Sequence, residues 1–129
     1  MTDVAPILAV DDDPGIRRAI GRILDEEGFA FVIAANAAAA LEELKKQRFS
    51  LLILDVDMPP GETGFELAQR IRVGETKNLN RTIPILFVTA HSDGESYEFS
   101  FDVAAHGYVT KPFNAKALAE KVHNLLSPH

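Results

Sequence analysis

The sequence contains no cysteine, so neither a disulfide framework nor a thiolate metal site can be built from it, and it makes no demand on the redox compartment. Nothing at the N-terminus reads as a secretory signal, because Met1 to Ala5 lacks a basic start and a following long apolar stretch. No apolar run approaches the length of a membrane-spanning helix. Basic clusters are missing too. Thirteen Lys and Arg stand against 19 Asp and Glu, a net charge of −6, whereas phosphate backbones are bound by grouped Lys and Arg. Internal repeats and low-complexity linkers are also lacking. These absences lead us to expect an unanchored, cytoplasmic chain with no direct nucleic-acid partner and no membrane partner.

What is present suits one ordinary globular domain spanning residues 1–129, since 47% of the residues are apolar and 25% charged. Ile7 to Val10 is a short apolar run ending in Asp11, Asp12, Asp13 and Pro14, the pattern of a buried strand followed by a helix start. Ile16, Ala19, Ile20, Ile23 and Leu24 then form an amphipathic stripe that should stop near Gly28. Residues 31–34 read as a second strand, and Asn36 as the cap of an alanine-rich helix from Ala37 to about Gln47. Leu51 to Leu54 predicts a buried third strand running into Asp55, followed by a turn at Pro59, Pro60 and Gly61 and a helix over 64–72. A fourth strand is expected at 85–88, a helix over 94–105, a short strand at Tyr108 and Val109, and a last helix over 115–126 with Asn114 as its cap. Strands buried on both faces and alternating with helices imply an α/β fold, a five-stranded parallel sheet covered on both sides.

In such sheets ligands bind beyond the carboxyl ends of the strands. Those positions hold Asp11 and Asp12 after the first strand, Asp55 and Asp57 after the third, Thr89 after the fourth and Lys111 after the fifth. Two unit charges about 4 Å apart repel by roughly 4 kcal/mol at a surface-like dielectric, so three carboxylates sharing a crevice need a positive partner. Hard oxygen ligands suit Mg2+ or Mn2+, and the Lys111 ammonium can pair with a carboxylate or a phosphoryl oxygen. A carboxylate nucleophile, a metal, a lysine and a hydroxyl are together the parts needed to take up a phosphoryl group. Asp55 is the best nucleophile candidate because it ends the most buried strand. Taken singly, the aspartates could be helix caps and Thr89 or Lys111 ordinary loop residues; their coincidence at strand ends that converge favours the chemical reading.

The stretches Ile7-Leu8-Ala9-Val10-Asp11-Asp12, Leu52-Ile53-Leu54-Asp55 with Met58-Pro59, Val88-Thr89-Ala90, and Tyr108-Val109-Thr110-Lys111-Pro112-Phe113 resemble the receiver domains of two-component response regulators over nearly the whole chain. The resemblance implies a flavodoxin-like (βα)5 fold with strand order 2-1-3-4-5. It makes Asp55 the phosphoacceptor, Asp11 and Asp12 the acidic pair around Mg2+, and Asp57 the donor of a backbone carbonyl to the metal. Thr89 becomes the switch hydroxyl, Lys111 the salt-bridge partner of the phosphoryl group, Tyr108 the aromatic reporter, and Pro112 the second residue of a cis peptide. The phosphoryl donor would be a sensor histidine kinase or a histidine phosphotransfer protein. A downstream effector domain or protein would read the face built from the 94–105 helix, the fifth strand and the last helix, and that face could also form a homodimer. Such a domain assists its own phosphorylation and dephosphorylation without being a turnover enzyme.

Three features depart from the family pattern. There is one extra residue between Asp55 and Gly64, the segment 74–82 is somewhat long, and Ala104 stands where a helix-ending glycine is usual, which should cost stability and not function. Tyr97 and Phe99 are candidates for a partner or dimer contact, since helical spacing lets at most two of Tyr97, Phe99 and Phe101 face the core. His91, His106, His123 and His129 lack ligand-like spacing and read as surface residues. Two other functions stay open at this point. Leu54-Asp55-Val56-Asp57 also looks like the nucleophile motif of haloacid-dehalogenase-type phosphohydrolases, with Asp57 as general acid. A pseudo-receiver that binds partners without phosphorylation is the other.

Overall fold

The computed structural model describes residues 5–57, 63–76, 80–90 and 106–126. The helix expected over 94–105, with Tyr97, Phe99, Phe101 and Ala104, lies outside the described residues, as do His91, His129 and the turn at Pro59, Pro60 and Gly61. The elements follow the order β1 (Ile7–Val10), α1 (Pro14–Glu26), β2 (Phe31–Ala34), α2 (Ala37–Lys46), β3 (Leu51–Asp55), α3 (Gly64–Arg72), β4 (Ile85–Thr89), β5 (Gly107–Thr110) and α4 (Ala115–Leu126). The strands pair in parallel as one sheet in the order β2-β1-β3-β4-β5. β1 therefore lies between β2 and β3, and the chain switches there from one side of β1 to the other, the point at whose carboxyl strand ends sheets of this kind bind ligands.

Strand alternation divides the core in two. Leu8, Val10, Leu52, Leu54, Ile85 and Phe87 face α2 and α3, where Leu41, Leu44, Leu67 and Ile71 meet them. Ile7, Ala9, Leu51, Ile53, Leu86 and Val88 face α1 and α4 and pack on Ile20, Leu24, Leu118 and Val122. Period-two side chains on a sheet covered by helices on both sides must be apolar throughout, which is why β1, β3 and β4 read as unbroken hydrophobic runs. β3 and β4 each reach one residue further than expected. Asp55 pairs with Val88 and Thr89 with Thr110, so both site residues are held in strand geometry.

Local chemistry sets the helix starts. The Asp13 carboxylate accepts the Gly15 N–H at 2.7 Å and Pro14 opens α1. Asn36 accepts the Ala39 N–H at 2.8 Å, and Asn114 the Ala117 N–H at 2.7 Å. α3 begins with a capping box, in which the Thr63 hydroxyl accepts from the Glu66 N–H and the Glu66 carboxylate from the Thr63 N–H. α1 is capped at Glu27 and followed by Gly28, whose φ of 82° lies in the left-handed region that favours glycine.

The long segment before β4 has a structural use. Asn80 is buried; its amide donates to the Leu44 carbonyl at 2.8 Å and the Gln47 carbonyl at 2.9 Å and accepts the Phe49 N–H at 2.9 Å. One side chain thus satisfies backbone groups where α2 ends and β3 approaches. Truncation would leave these groups without that partner, so Asn80→Ala is expected to lower stability by about 2 kcal/mol in urea denaturation, with no effect on the chemistry at the opposite end of the sheet.

Candidate functional site

At the carboxyl ends of β1 and β3, one carboxylate oxygen from each of Asp11, Asp12 and Asp55 lies within 4.8 Å of the others. Asp11 and Asp55 are buried, while Asp12 is exposed at the mouth. The Asp11 carboxylate accepts the Asp13 N–H at 2.9 Å, and the Asp55 carboxylate accepts the Asp57 N–H at 3.3 Å. From the end of β5, Lys111 reaches both buried carboxylates, its Nζ lying 2.9 Å from Asp11 Oδ2 and 3.4 Å from Asp55 Oδ1. Its backbone N–H donates to the Thr89 carbonyl at 2.7 Å, which ties the lysine to the strand that carries the hydroxyl. The Lys111–Pro112 peptide beside it is cis.

The electrostatics follow from this packing. Burial pushes the Asp55 carboxyl up from 3.8 to about 7, and the neighbouring Asp11 charge adds to that, while Lys111 and the Asp57 N–H counter it. Burial alone would lower the Lys111 ammonium, but its hydrogen bond to Asp11 and the charges of Asp55 and Asp11 outweigh this and hold it above its usual value. Among the described residues, the buried Asp11 Oδ2 has the Lys111 ammonium, 2.9 Å away, as its compensating partner. Three carboxylates against one ammonium leave two negative charges when all are ionised. An all-oxygen donor set with that remainder fits one hard divalent cation such as Mg2+.

The structure brings together Asp11, Asp12, Asp55 and Lys111, and places Thr89, which is buried, at the end of the strand next to Asp55. Asp57 stands at the rim with its side chain exposed. Tyr108 sits apart, half-buried on β5 against the Phe87 ring. Of the histidines, the described His106 and His123 are exposed; His123 lies 2.7 Å from Glu27.

Two supporting residues escaped the sequence reading. The Arg17 guanidinium donates to the Asp11 backbone carbonyl at 2.9 Å. Its distance from Asp11 along the chain carries no signal, since only the docking of α1 on the sheet brings them together. Gly64 is the second. A Cβ built there would lie 2.2 Å from the Asp55 carbonyl oxygen, and the Gly64 N–H donates to the Val56 carbonyl at 2.8 Å. The pattern Thr63-Gly64-Phe65-Glu66 did carry a legible capping-box signal for the helix start.

Against known families, residues 7–123 match the response regulator receiver domain. The chain is a receiver domain. It is 38% identical over 119 residues to the transcriptional regulatory protein YvrH of Bacillus subtilis, a match covering 92% of this chain and 47% of that protein. The chain thus spans about half the length of the transcriptional regulators it matches. Among solved structures it is similar to the chemotaxis protein CheY4 of Vibrio cholerae, with a TM-score of 0.86, 33% identity and coverage of 96% of this chain and 100% of that one. It is also similar to the response regulator TrrA of Thermotoga maritima, solved with Mg2+ and BeF, with a TM-score of 0.80, 38% identity and coverage of 95% and 100%. The fold of this receiver is the flavodoxin-like arrangement of its neighbours, and its acidic pocket of Asp11, Asp12 and Asp55 fits the phosphoacceptor site of the family.

Proposed function

We propose that this receiver takes a phosphoryl group onto Asp55 from a phosphohistidine of a sensor kinase or phosphotransfer protein, and that the change is read by an effector. The observation that carries the reading is the Lys111 ammonium placed between the buried Asp11 and Asp55 carboxylates, at 2.9 and 3.4 Å. An Asp55 carboxylate oxygen attacks phosphorus, the bond from phosphorus to the donor imidazole nitrogen breaks, and the imidazole leaves. Asp11, Asp12, Asp55 and the Asp57 backbone carbonyl would hold Mg2+, or Mn2+ in its place, which supplies positive charge against the phosphoryl oxygens when bound. Lys111 is freed from Asp55 to pair with a phosphoryl oxygen, because phosphorylation spends the Asp55 negative charge and adds stronger acceptors beside it.

The Thr89 hydroxyl, at the end of the neighbouring strand, donates to the phosphoryl group, and Tyr108 on β5 reports the change to the outer surface. Because the matched regulators are about twice the length of this chain, we read a partner or appended effector as the target of that surface. A cytoplasmic setting suits this reading; no described helix is long and apolar enough to cross a membrane.

Incubation with Mg2+ and acetyl phosphate or beryllofluoride, followed by intact-mass and amide spectra, tests the proposal. A metal-dependent adduct is expected, absent in Asp55→Ala, with spectral shifts around Thr89 and Tyr108. Steady turnover of a generic phosphate monoester would instead favour the phosphohydrolase. Failure of wild type to form any adduct with Mg2+ bound would favour the phosphorylation-independent binding module.

A further inference from the structure

We propose that Phe65 and Phe87 form an aromatic seat that sets the conformational equilibrium of the Tyr108 ring, so that α3, fastened at Asp55, biases the ring by a route separate from Thr89. The functional meaning of this seat rests on the receiver reading of Tyr108 given above.

Phe87 lies in the middle of β4, fully buried, and its register partner on β5 is Tyr108. The two rings pack with centroids 5.6 Å apart at an interplanar angle of 32°. Phe87 also meets Phe65, edge-on, with centroids 4.8 Å apart at 64°. Both separations fall in the range where aromatic pairs attract specifically. Phe65, Phe87 and Tyr108 thus form a continuous stack across α3, β4 and β5.

The far end of this stack is anchored at the phosphoacceptor. Phe65 is the second residue of α3 and follows Gly64, which sits so close to the Asp55 carbonyl that a Cβ would come within 2.2 Å of its oxygen. The Gly64 N–H donates to the Val56 carbonyl at 2.8 Å, and the Thr63–Glu66 capping box holds the first turn together. A displacement of the backbone at Asp55 therefore moves the first turn of α3, and Phe65 with it. Close-packed side chains transmit such movement to their neighbours, and a ring with two rotamer wells is an element that both ends can bias. Phe87 has no exposure at all, while Phe65 and Tyr108 at the two ends are half-buried; Phe65 is carried by the capped first turn of α3, so the movable ring is Tyr108.

The test measures Tyr108 χ1 populations from three-bond couplings between its Cγ and the backbone N and carbonyl carbon, in the isotope-labelled 129-residue chain. Samples are compared without metal and with Mg2+ and beryllofluoride. Phe65→Leu is expected to change the metal-free rotamer ratio by about two- to tenfold, the worth of one aromatic pair, and Phe65→Tyr to restore it. The same change should persist in a Thr89→Val background. Because Phe65 is only partly buried, Phe65→Leu should stay folded; Phe65→Met provides a second variant of nearly conserved bulk. An unchanged ratio in a folded Phe65→Leu or Phe65→Met protein overturns the seat, and loss of the effect in Thr89→Val overturns its independence from that hydroxyl. The metal-free comparison decides the seat even if wild type forms no beryllofluoride adduct, a result that would count against phosphorylation of Asp55 alone.

Discussion

Asp55→Asn is expected to abolish the phosphoryl adduct and, without divalent cations at pH 8, to make the protein more stable by as much as about 4 kcal/mol. Burial and the Asp11 charge raise the Asp55 carboxyl from 3.8 to about 7. At roughly 1.4 kcal/mol for each tenfold change in proton affinity, that rise is a cost of about 4 kcal/mol for holding the carboxylate ionised in the folded state. The side chain is only 4% exposed, so water does little to screen it. Below pH 3.8 both folded and unfolded chains carry the proton and the cost vanishes. Between about 4 and 7 the folded state binds the extra proton, so wild-type stability falls as pH rises, and above about 7 the cost is complete.

Asparagine cannot ionise and escapes this dependence. Urea denaturation of both proteins in EDTA from pH 4.5 to 8 isolates the effect as the difference between them, which should grow with pH. Parallel curves would refute the buried-charge argument. Adding Mg2+ at pH 8 should recover most of the deficit in wild type and little in Asp55→Asn, because a cation bound only by the folded state stabilises it by mass action.

Gly64→Ala should be the most damaging small substitution on α3, lowering stability by about 3 kcal/mol or more. On an ordinary exposed helix, alanine for glycine stabilises by up to about 1 kcal/mol, so the sign itself is diagnostic. The new methyl would lie 2.2 Å from the Asp55 carbonyl oxygen and 3.1 Å from the Val56 Cα, and both obstacles are backbone atoms of a buried strand end that cannot swing aside. Relief requires α3 to lift or Asp55 to shift. The folded fraction should therefore also form the beryllofluoride adduct more than tenfold more slowly, as expected for a nucleophile displaced by a fraction of an ångström. A variant as stable as wild type, with unchanged adduct kinetics, would show that α3 is not seated on Asp55 in solution.

The elements that could be read in advance share a physical cause. β1, β3 and β4 are apolar throughout because helices cover both faces of the sheet, and Asp13, Asn36 and Asn114 marked helix starts because orphan N–H groups need a nearby acceptor. The apolar runs stop at Leu54 and Val88, whereas Asp55 and Thr89 belong within the strands. Strand ends depend on what the neighbouring strand offers as a partner, and Val88 and Thr110 were not visible as partners from the local pattern.

By itself the sequence determined the alternation of strands and helices, and hence which residues stand at carboxyl strand ends. Hydrophobic periodicity and capping are local properties that span a few residues. Tertiary structure alone decided that Lys111 bridges two carboxylates from strands far away in the chain, that Arg17 holds the Asp11 carbonyl, that Asn80 closes α2, and that Gly64 abuts Asp55. It also decided that Phe65, Phe87 and Tyr108 stack. Charge compensation, buried hydrogen bonding and close packing act over a few ångströms of space irrespective of separation along the chain, so they take effect only once the crossovers have laid β1, β3, β4 and β5 side by side.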